Sequence, residues 1–303
     1  MSEIRFDGRV AVITGAGGGL GKTYAKLIAA RGGSVVVNDL GGAADGTGGS
    51  SSMADETVKE IEEAGGKAVA NYDSVATPEG GEAIIQTALD NFEKVDIVIN
   101  NAGILRDKSF VKLEPENLEA VIDVHLKGAF FVSQPAFRVM KEHNYGRFLF
   151  TASGAGIFGN FGQTNYGAAK MGLVGLSNVL SVEGAKNNIK CNAIAPIAKT
   201  RLTEQLLGAM AEHLDAEYVT PLVAYLVSEQ CDVTHEIFDV GAGRYARVFL
   251  GMAPGWTTPD AVPPSPEDIA ANLDEIRATD GFTIPDSIAG EMQAVMEALK
   301  ARG

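Results

Sequence analysis

Along the chain, short apolar runs alternate with longer segments whose apolar positions recur every three or four residues. The runs at 10–14, 34–38, 67–71, 95–100, 146–151, 189–194 and 236–240 predict β-strands. The amphipathic stretches at 22–31, 53–64, 82–92, 116–142, 166–186 and 217–229 predict helices between them. Strands apolar throughout, rather than alternating, are those buried on both faces, and strands separated by helices pair in parallel. The pattern therefore predicts an α/β fold, a doubly wound parallel sheet with helices on either side. A Gly- and Ser-rich stretch at 41–52 predicts a long surface loop. After Gly243 the alternation stops. Pro254, Pro259, Pro263, Pro264 and Pro266 mark an irregular connector, followed by helical patterns at 267–278 and 286–301. The expected organisation is one α/β domain over 1–250 with a C-terminal helical extension, 251–303, packed on it.

Charge narrows the partners. The 303 residues include 25 basic and 39 acidic side chains, a formal charge of −14, which opposes bulk-charge binding to nucleic acid or an anionic membrane. No apolar run approaches the roughly 18 residues of a membrane span. The first seven residues, MSEIRFD, have no apolar leader character. Cys191 and Cys231 are too few for a disulfide framework, so a cytoplasmic protein is expected, with no metal and no nucleic-acid or membrane partner.

The first strand runs into Gly15, Ala16, Gly17, Gly18, Gly19, Leu20 and Gly21, and a helix begins at about Lys22. Glycines there permit a tight turn and close approach of backbone to a pyrophosphate, and the helix N-terminus offers it free N–H groups. A merely tight turn is also compatible, because the chain holds 36 glycines. Asp39 closes the second strand 18 residues after Gly21, near the spacing at which a carboxylate holds ribose hydroxyls. It would repel a 2′-phosphate, and no basic residue interrupts Gly15–Gly21, so NAD is expected rather than NADP. Tyr166 and Lys170 stand four apart on a predicted helix and so share a face. An ammonium near a phenol lowers the phenol's pKa from about 10. Such a tyrosine can exchange a proton with a carbinol oxygen while hydride moves to a nicotinamide. Alone, the pair is equally an ordinary surface pair.

The spacing Thr14-Gly15-x3-Gly19-x-Gly21, with Asn100-Asn101-Ala102-Gly103 after the fourth strand and Tyr166-x3-Lys170, resembles the short-chain dehydrogenase/reductase family. The resemblance implies a Rossmann-type sheet and a set of roles. Gly15, Gly19, Leu20, Gly21 and Asp39 would meet the cofactor. Asp73, Ser74 and Val75 would lie at its adenine, and Asn101, Ala102 and Gly103 would steady the sheet beside it. Ser153, 13 residues before Tyr166, would bond the substrate oxygen. Tyr166 would be the acid/base, touching substrate and cofactor, and Lys170 would bind the nicotinamide ribose and tune the tyrosine. Two departures follow. The family often carries asparagine where this chain reads Val124-His125-Leu126-Lys127-Gly128, so His125 either takes that place in a proton relay or is structural. The family's Pro-Gly turn appears as Pro196-Ile197-Ala198-Lys199-Thr200-Arg201, with Ala198, Lys199, Thr200 and Arg201 as the cofactor-contacting stretch.

Longer stretches, among them 37–42, 66–75, 159–163 and 238–243, make the chain similar to the (3R)-hydroxyacyl-CoA dehydrogenase units of peroxisomal multifunctional enzymes. That similarity implies NAD-dependent oxidation of a (3R)-hydroxyacyl-CoA thioester to the 3-ketoacyl-CoA. The expected form is a stand-alone homodimer paired through the helix bearing Tyr166 and Lys170. A 17β-hydroxysteroid dehydrogenase would use the same catalytic residues. A catalytically silent NAD-binding module is the alternative outside enzymes, and the intact set of Ser153, Tyr166 and Lys170 argues against it.

Overall fold

β1 (Val10–Thr14) is buried at every position, as a strand covered on both faces must be. In the computed structural model, which describes residues 3–200, 203, 208–259 and 262–301, β1 is flanked in parallel by β2 (Ser34–Asn38) and β4 (Ile97–Asn100). β3 (Lys67–Asn71) lies outside β2. β5 (Gly146–Thr151), β6 (Ile189–Pro196) and β7 (Ile237–Gly241) follow β4, all in parallel. With an edge strand β8 (Arg244–Val248) the sheet order is β3-β2-β1-β4-β5-β6-β7-β8. The chain therefore winds outward from β1 in one direction and then resumes on its other side. In such a sheet the crevice beyond the C-terminal ends of the strands at that switch point is where ligands bind.

On one face α1 (Gly19–Ala30) packs against α2 (Ser52–Glu63) and α8 (Thr220–Leu226). On the other, α3 (Pro78–Phe92) and α7 (Thr164–Gly184) both pack against α5 (Gly128–His143). α4 (Pro115–Ile122) leads into α5 through a wide π-turn at Asp123–Lys127, so the predicted central helix exists but carries one i→i+5 turn. α6 (Gly154–Ile157) is a single turn after β5.

Several boundaries differ from the apolar pattern for local reasons. α3 begins at Pro78, four residues before the expected start at 82, because Pro78 presets the first turn and the Thr77 hydroxyl accepts from Gly80 N–H at 3.1 Å. The helix expected at 217–229 is a 3-10 turn, Ala216–Tyr218, followed by the shorter α8, which starts at Thr220 and carries Pro221 in its first turn, where a missing N–H costs no helical bond. β8 was not expected. Ala242 and Gly243 take φ of 47° and 75°, the signature of a two-residue type I′ turn, and β8 folds back along β7. An Ala-Gly pair lacks the Asn or Asp that usually announces such a turn.

The chain divides into two units, Met1–Arg247 and Val248–Gly303. In the second, the Phe249 and Phe282 rings stack at 5.3 Å and Met252 and Thr283 exchange two backbone hydrogen bonds of 2.9 Å. The helix expected at 267–278 is broken at Asn272 into α9 (Pro266–Ala271), capped by a Ser265/Asp268 box, and α10 (Leu273–Arg277); α11 (Ile288–Ala301) follows. No helix among the described residues is long and apolar enough to cross a membrane.

Candidate active site

Beyond the C-terminal ends of β1, β4 and β5 lies one continuous cleft of about 690 Å³. Gly15 and Gly19 hold φ of 64° and 51°, values that L side chains rarely adopt, so the turn from β1 into α1 needs glycine there. Gly18, the N-cap of α1, has no side chain with which to satisfy the first-turn N–H groups. Those donors remain for an anion. Gly21 lies beneath this wall rather than in it: a Cβ there would meet Gly15 O at 2.3 Å. The loop is tied to the other half of the sheet through Asn101, whose amide donates to Thr14 O at 3.0 Å and Gly15 O at 3.1 Å. The Thr14 hydroxyl in turn accepts from the backbone N–H groups of Asn101 and Ala102, at 3.0 and 3.1 Å.

Asp39 faces the same cleft. Its carboxylate accepts from Gly17 N–H at 2.9 Å and from Gly41 N–H at 2.7 Å, so it is fixed by backbone on both sides. Asp73, Ser74 and Val75 continue the wall. They are held by a ladder in which the Asn38 amide donates to Asn71 Oδ1 at 2.8 Å and to Asp73 O at 2.9 Å. A glycine cradle with open N–H groups beside a fixed carboxylate fits a dinucleotide.

Ser153, Tyr166 and Lys170 meet on the opposite part of the wall. Ser153 caps α6, its hydroxyl accepting from Ala155 N–H at 3.2 Å. Lys170 is buried, and its ammonium donates to Thr151 O at 2.5 Å while standing 5.5 Å from the Tyr166 ring centroid. Burial pulls the Lys170 pKa down to about 7. The tyrosine differs from expectation. Burial pushes the Tyr166 phenol above its ordinary value, the Ser153 hydroxyl offsets this only in part, and the Asp107 carboxylate pushes it further up. In the protein alone Lys170 is engaged with Thr151 and does not draw Tyr166 down.

The buried lysine has a consequence for stability. An unfolded lysine titrates near 10.5 and this one near 7, so between those values the unfolded chain binds more protons than the folded one. Stability from this residue therefore rises with pH across that window, and the destabilisation is complete below about 7. Lys170→Met is expected to flatten the rise of Tm between pH 7 and 10 and to raise Tm at neutral pH, read by calorimetry across that range. An unchanged slope would contradict the burial of a titrating amine.

His125 sits in the π-turn, fully buried, with its ring edge-on to Tyr166 at 5.2 Å. Nε2 lies 2.8 Å from Ile104 O and 3.0 Å from Ile104 N, while Nδ1 has no hydrogen-bond partner. Burial, reinforced by the Lys170 charge, lowers its pKa to about 3, so the imidazole is neutral. A Cβ on Gly103 would stand 2.4 Å from its Cε1, so glycine at 103 makes room for the ring.

Ala198 and Thr200 line the cleft, with Thr200 N–H donating to the Thr203 hydroxyl at 2.9 Å. Lys199 is not part of the wall, and its N–H donates to Leu214 O at 2.5 Å. Arg201 lies outside the described residues. Three contributors escaped the sequence reading: the Thr14 hydroxyl, the Asn38–Asn71 ladder, and Gln163, whose amide donates to Asp107 at 2.6 Å beside Tyr166. Only Thr14 carried a signal, as the last residue of a strand entering a glycine loop. Gly42, Ala43 and Gly46, from the stretch expected to be a surface loop, also line the cleft.

The family description "short chain dehydrogenase" matches residues 9–209. A Mycobacterium tuberculosis protein, named as a short-chain type dehydrogenase/reductase, is 53% identical over 277 residues, 91% of this chain and 96% of that one. The Saccharomyces cerevisiae peroxisomal hydratase-dehydrogenase-epimerase is 50% identical over 276 residues, 90% of this chain but 30% of the yeast protein. The structure of full-length peroxisomal multifunctional enzyme type 2 from Drosophila melanogaster superposes with a TM-score of 0.82 at 39% identity, covering 98% of this chain and 50% of that one. The chain thus spans about a third to a half of these peroxisomal relatives and nearly all of the mycobacterial one. Matched across about two thirds of its length and half identical to such relatives, this chain belongs to the short-chain dehydrogenase/reductase family of oxidoreductases.

Proposed function

We propose that the protein oxidises a (3R)-hydroxyacyl-CoA to the 3-ketoacyl-CoA with NAD as acceptor. The observation that carries the reading is the convergence of Ser153, Tyr166 and Lys170 on one cleft whose other end is the glycine cradle and Asp39. Likeness over 98% of the chain to a peroxisomal multifunctional enzyme, and half identity to a hydratase-dehydrogenase-epimerase, supports the substrate class. The choice of NAD rests on Asp39. A 2′-phosphate near it would face a fixed carboxylate, and Lys170, the only lysine or arginine in the described cleft wall, stands with Ser153 and Tyr166 on the opposite part of it. Asp39→Ala is expected to weaken NADH binding about tenfold and to narrow the preference over NADPH, measured by fluorescence titration of both. An unchanged ratio would remove Asp39 from cofactor selection.

The nicotinamide, when bound, supplies the hydride acceptor. Tyr166 takes the hydroxyl proton of the substrate as the C3 hydride departs, and the Ser153 hydroxyl donates to that oxygen as charge develops on it. Lys170 holds the cofactor ribose, and neutral His125 fixes the tyrosine edge-on. Because the Tyr166 phenol titrates above its ordinary value, oxidation needs it to lose a proton first. The oxidation rate is therefore expected to climb from neutral towards alkaline pH, with reduction favoured below, read from kcat/KM in both directions. An oxidation rate flat from neutral upward would contradict Tyr166 as the base.

We further place it as a cytoplasmic homodimer paired through α7, a reading supported by buried free thiols at Cys191 and Cys231 and by half-exposed Val179 and Val182 on α7. A monomer on gel filtration would contradict the pairing. The deciding assay is NADH formation with a (3R)-hydroxyacyl-CoA, its (3S) epimer and a 17β-hydroxysteroid in parallel. Turnover of the (3R) thioester alone is expected. Turnover of the steroid alone would move the substrate class, and NAD binding without any turnover would indicate a silent module.

A further inference from the structure

Between β2 and α2 the chain makes an excursion whose ends meet, Ser50 N–H donating to Leu40 O at 3.0 Å. Inside it Ala43 N–H donates to Thr47 O at 2.8 Å and Gly46 N–H to Ala43 O at 3.0 Å. The Asp45 carboxylate accepts from the Thr47 N–H at 3.0 Å and the Thr47 hydroxyl at 2.7 Å, and Gly46, at φ 85°, allows the reversal. A loop closed on itself in this way is a compact Ω-loop, not a slack connector. Its tip lands on the chain leaving β4. Leu105 N–H donates to Ala44 O at 2.9 Å, and Arg106 Nε donates to Asp45 O at 2.8 Å. A Cβ on Gly46 would lie 3.1 Å from the Ile104 side chain, so the contact there is close.

β2 and β4 stand on either side of β1. A segment that leaves one and lands beyond the other must cross the switch-point crevice. Gly42, Ala43 and Gly46 form part of the cleft wall that Gly15, Gly18 and Asp39 complete. We propose that residues 41–50 are a strap lying across the bound dinucleotide, and that Arg106 is the positioning residue that latches it, setting how fast the cofactor leaves. The proposal rests on the nicotinamide-cofactor reading above. Of the two hydrogen bonds that fasten the tip, the backbone one survives any substitution at 105 except proline, whereas the guanidinium one is lost when Arg106 changes.

The test is a stopped-flow chase of NADH from the intact protein by excess NAD, with Kd from NADH fluorescence titration. Arg106→Gln is expected to raise koff and Kd about tenfold each, the size of one charge-assisted hydrogen bond, with kon within about twofold. Arg106→Lys, which keeps a donor on a long stem, is expected to restore most of the slow release. Asp45→Ala loosens the turn while leaving the latched carbonyl in place, and is expected to shift koff the same way; it carries the test alone if Arg106→Gln fails to fold. A koff within twofold of the unaltered protein, or a fall in kon and Tm with koff unchanged, overturns the strap. Failure of the unaltered protein to bind NADH overturns the cofactor reading instead.

Discussion

Tyr166→Phe is expected to lower kcat/KM by about three orders of magnitude while leaving NADH affinity within twofold. The variant removes the hydroxyl that exchanges the substrate proton, a contribution typically of 10²- to 10⁴-fold. It keeps the ring that packs edge-on to His125 at 5.2 Å, so the wall around it persists. Lys170 is held by Thr151 O rather than by the tyrosine, so its position does not depend on the phenol. The measurement is steady-state oxidation of the substrate beside an NADH titration of the same preparation. Turnover within tenfold of the unaltered protein would mean that another group carries the proton; joint loss of turnover and cofactor binding would mean that Tyr166 is chiefly structural.

Gly21→Ala is expected to cost about 2 kcal/mol of stability and to weaken NADH binding more than a hundredfold. Two effects oppose each other. Alanine in a helix interior is favoured over glycine by about 1 kcal/mol. Against that, its Cβ would stand 2.3 Å from Gly15 O, 2.7 Å from the Asn101 amide and 2.9 Å from Ala16 Cα. Two of those atoms are backbone, and the third is tied to Thr14 and Gly15, so none can give way cheaply. Overpacking of this kind costs about 1–3 kcal/mol, and here it also displaces the turn that cradles phosphate. Gly18→Ala is the internal control. Its backbone is extended, and the new Cβ meets only the mobile end of Met53, at 3.0 Å, so stability should stay within about 1 kcal/mol. Calorimetry on both variants decides it. Equal Tm values for the two would show that the glycine loop tolerates crowding.

The sheet was legible because its strands are apolar at consecutive positions, a consequence of burial on both faces. Seven of the eight strands among the described residues stand where those runs are. The eighth was hidden because no residue of β8 is buried and it follows a turn without Asn or Asp. The site was legible in proportion to how local its chemistry is. Tyr166 and Lys170 share a helix face, and Gly15 to Gly21 share a turn, so spacing alone groups them. What joins those groups is long-range: the Thr14 hydroxyl meets backbone 87 positions away, and Gln163 reaches Asp107 across 56. No periodicity records such pairings. The same holds for the stretch at 41–52, whose composition describes its flexibility as a peptide and not the partners that order it.

The π-turn at Asp123–Lys127 sets the angular register between the two halves of the helix it interrupts. A π-turn holds one residue more than the α-turn it interrupts, and one residue rotates an α-helix by about 100°. Deleting one residue of this turn other than His125 is expected to give an uninterrupted helix, yet with one half turned so that the imidazole no longer meets Ile104. Relatives that differ here by one gap can thus share the helix and lack the histidine's place beside Tyr166. Comparing such lineages calls for structural register, because a letter-by-letter match would align a His with His125 whether or not it reaches the cleft.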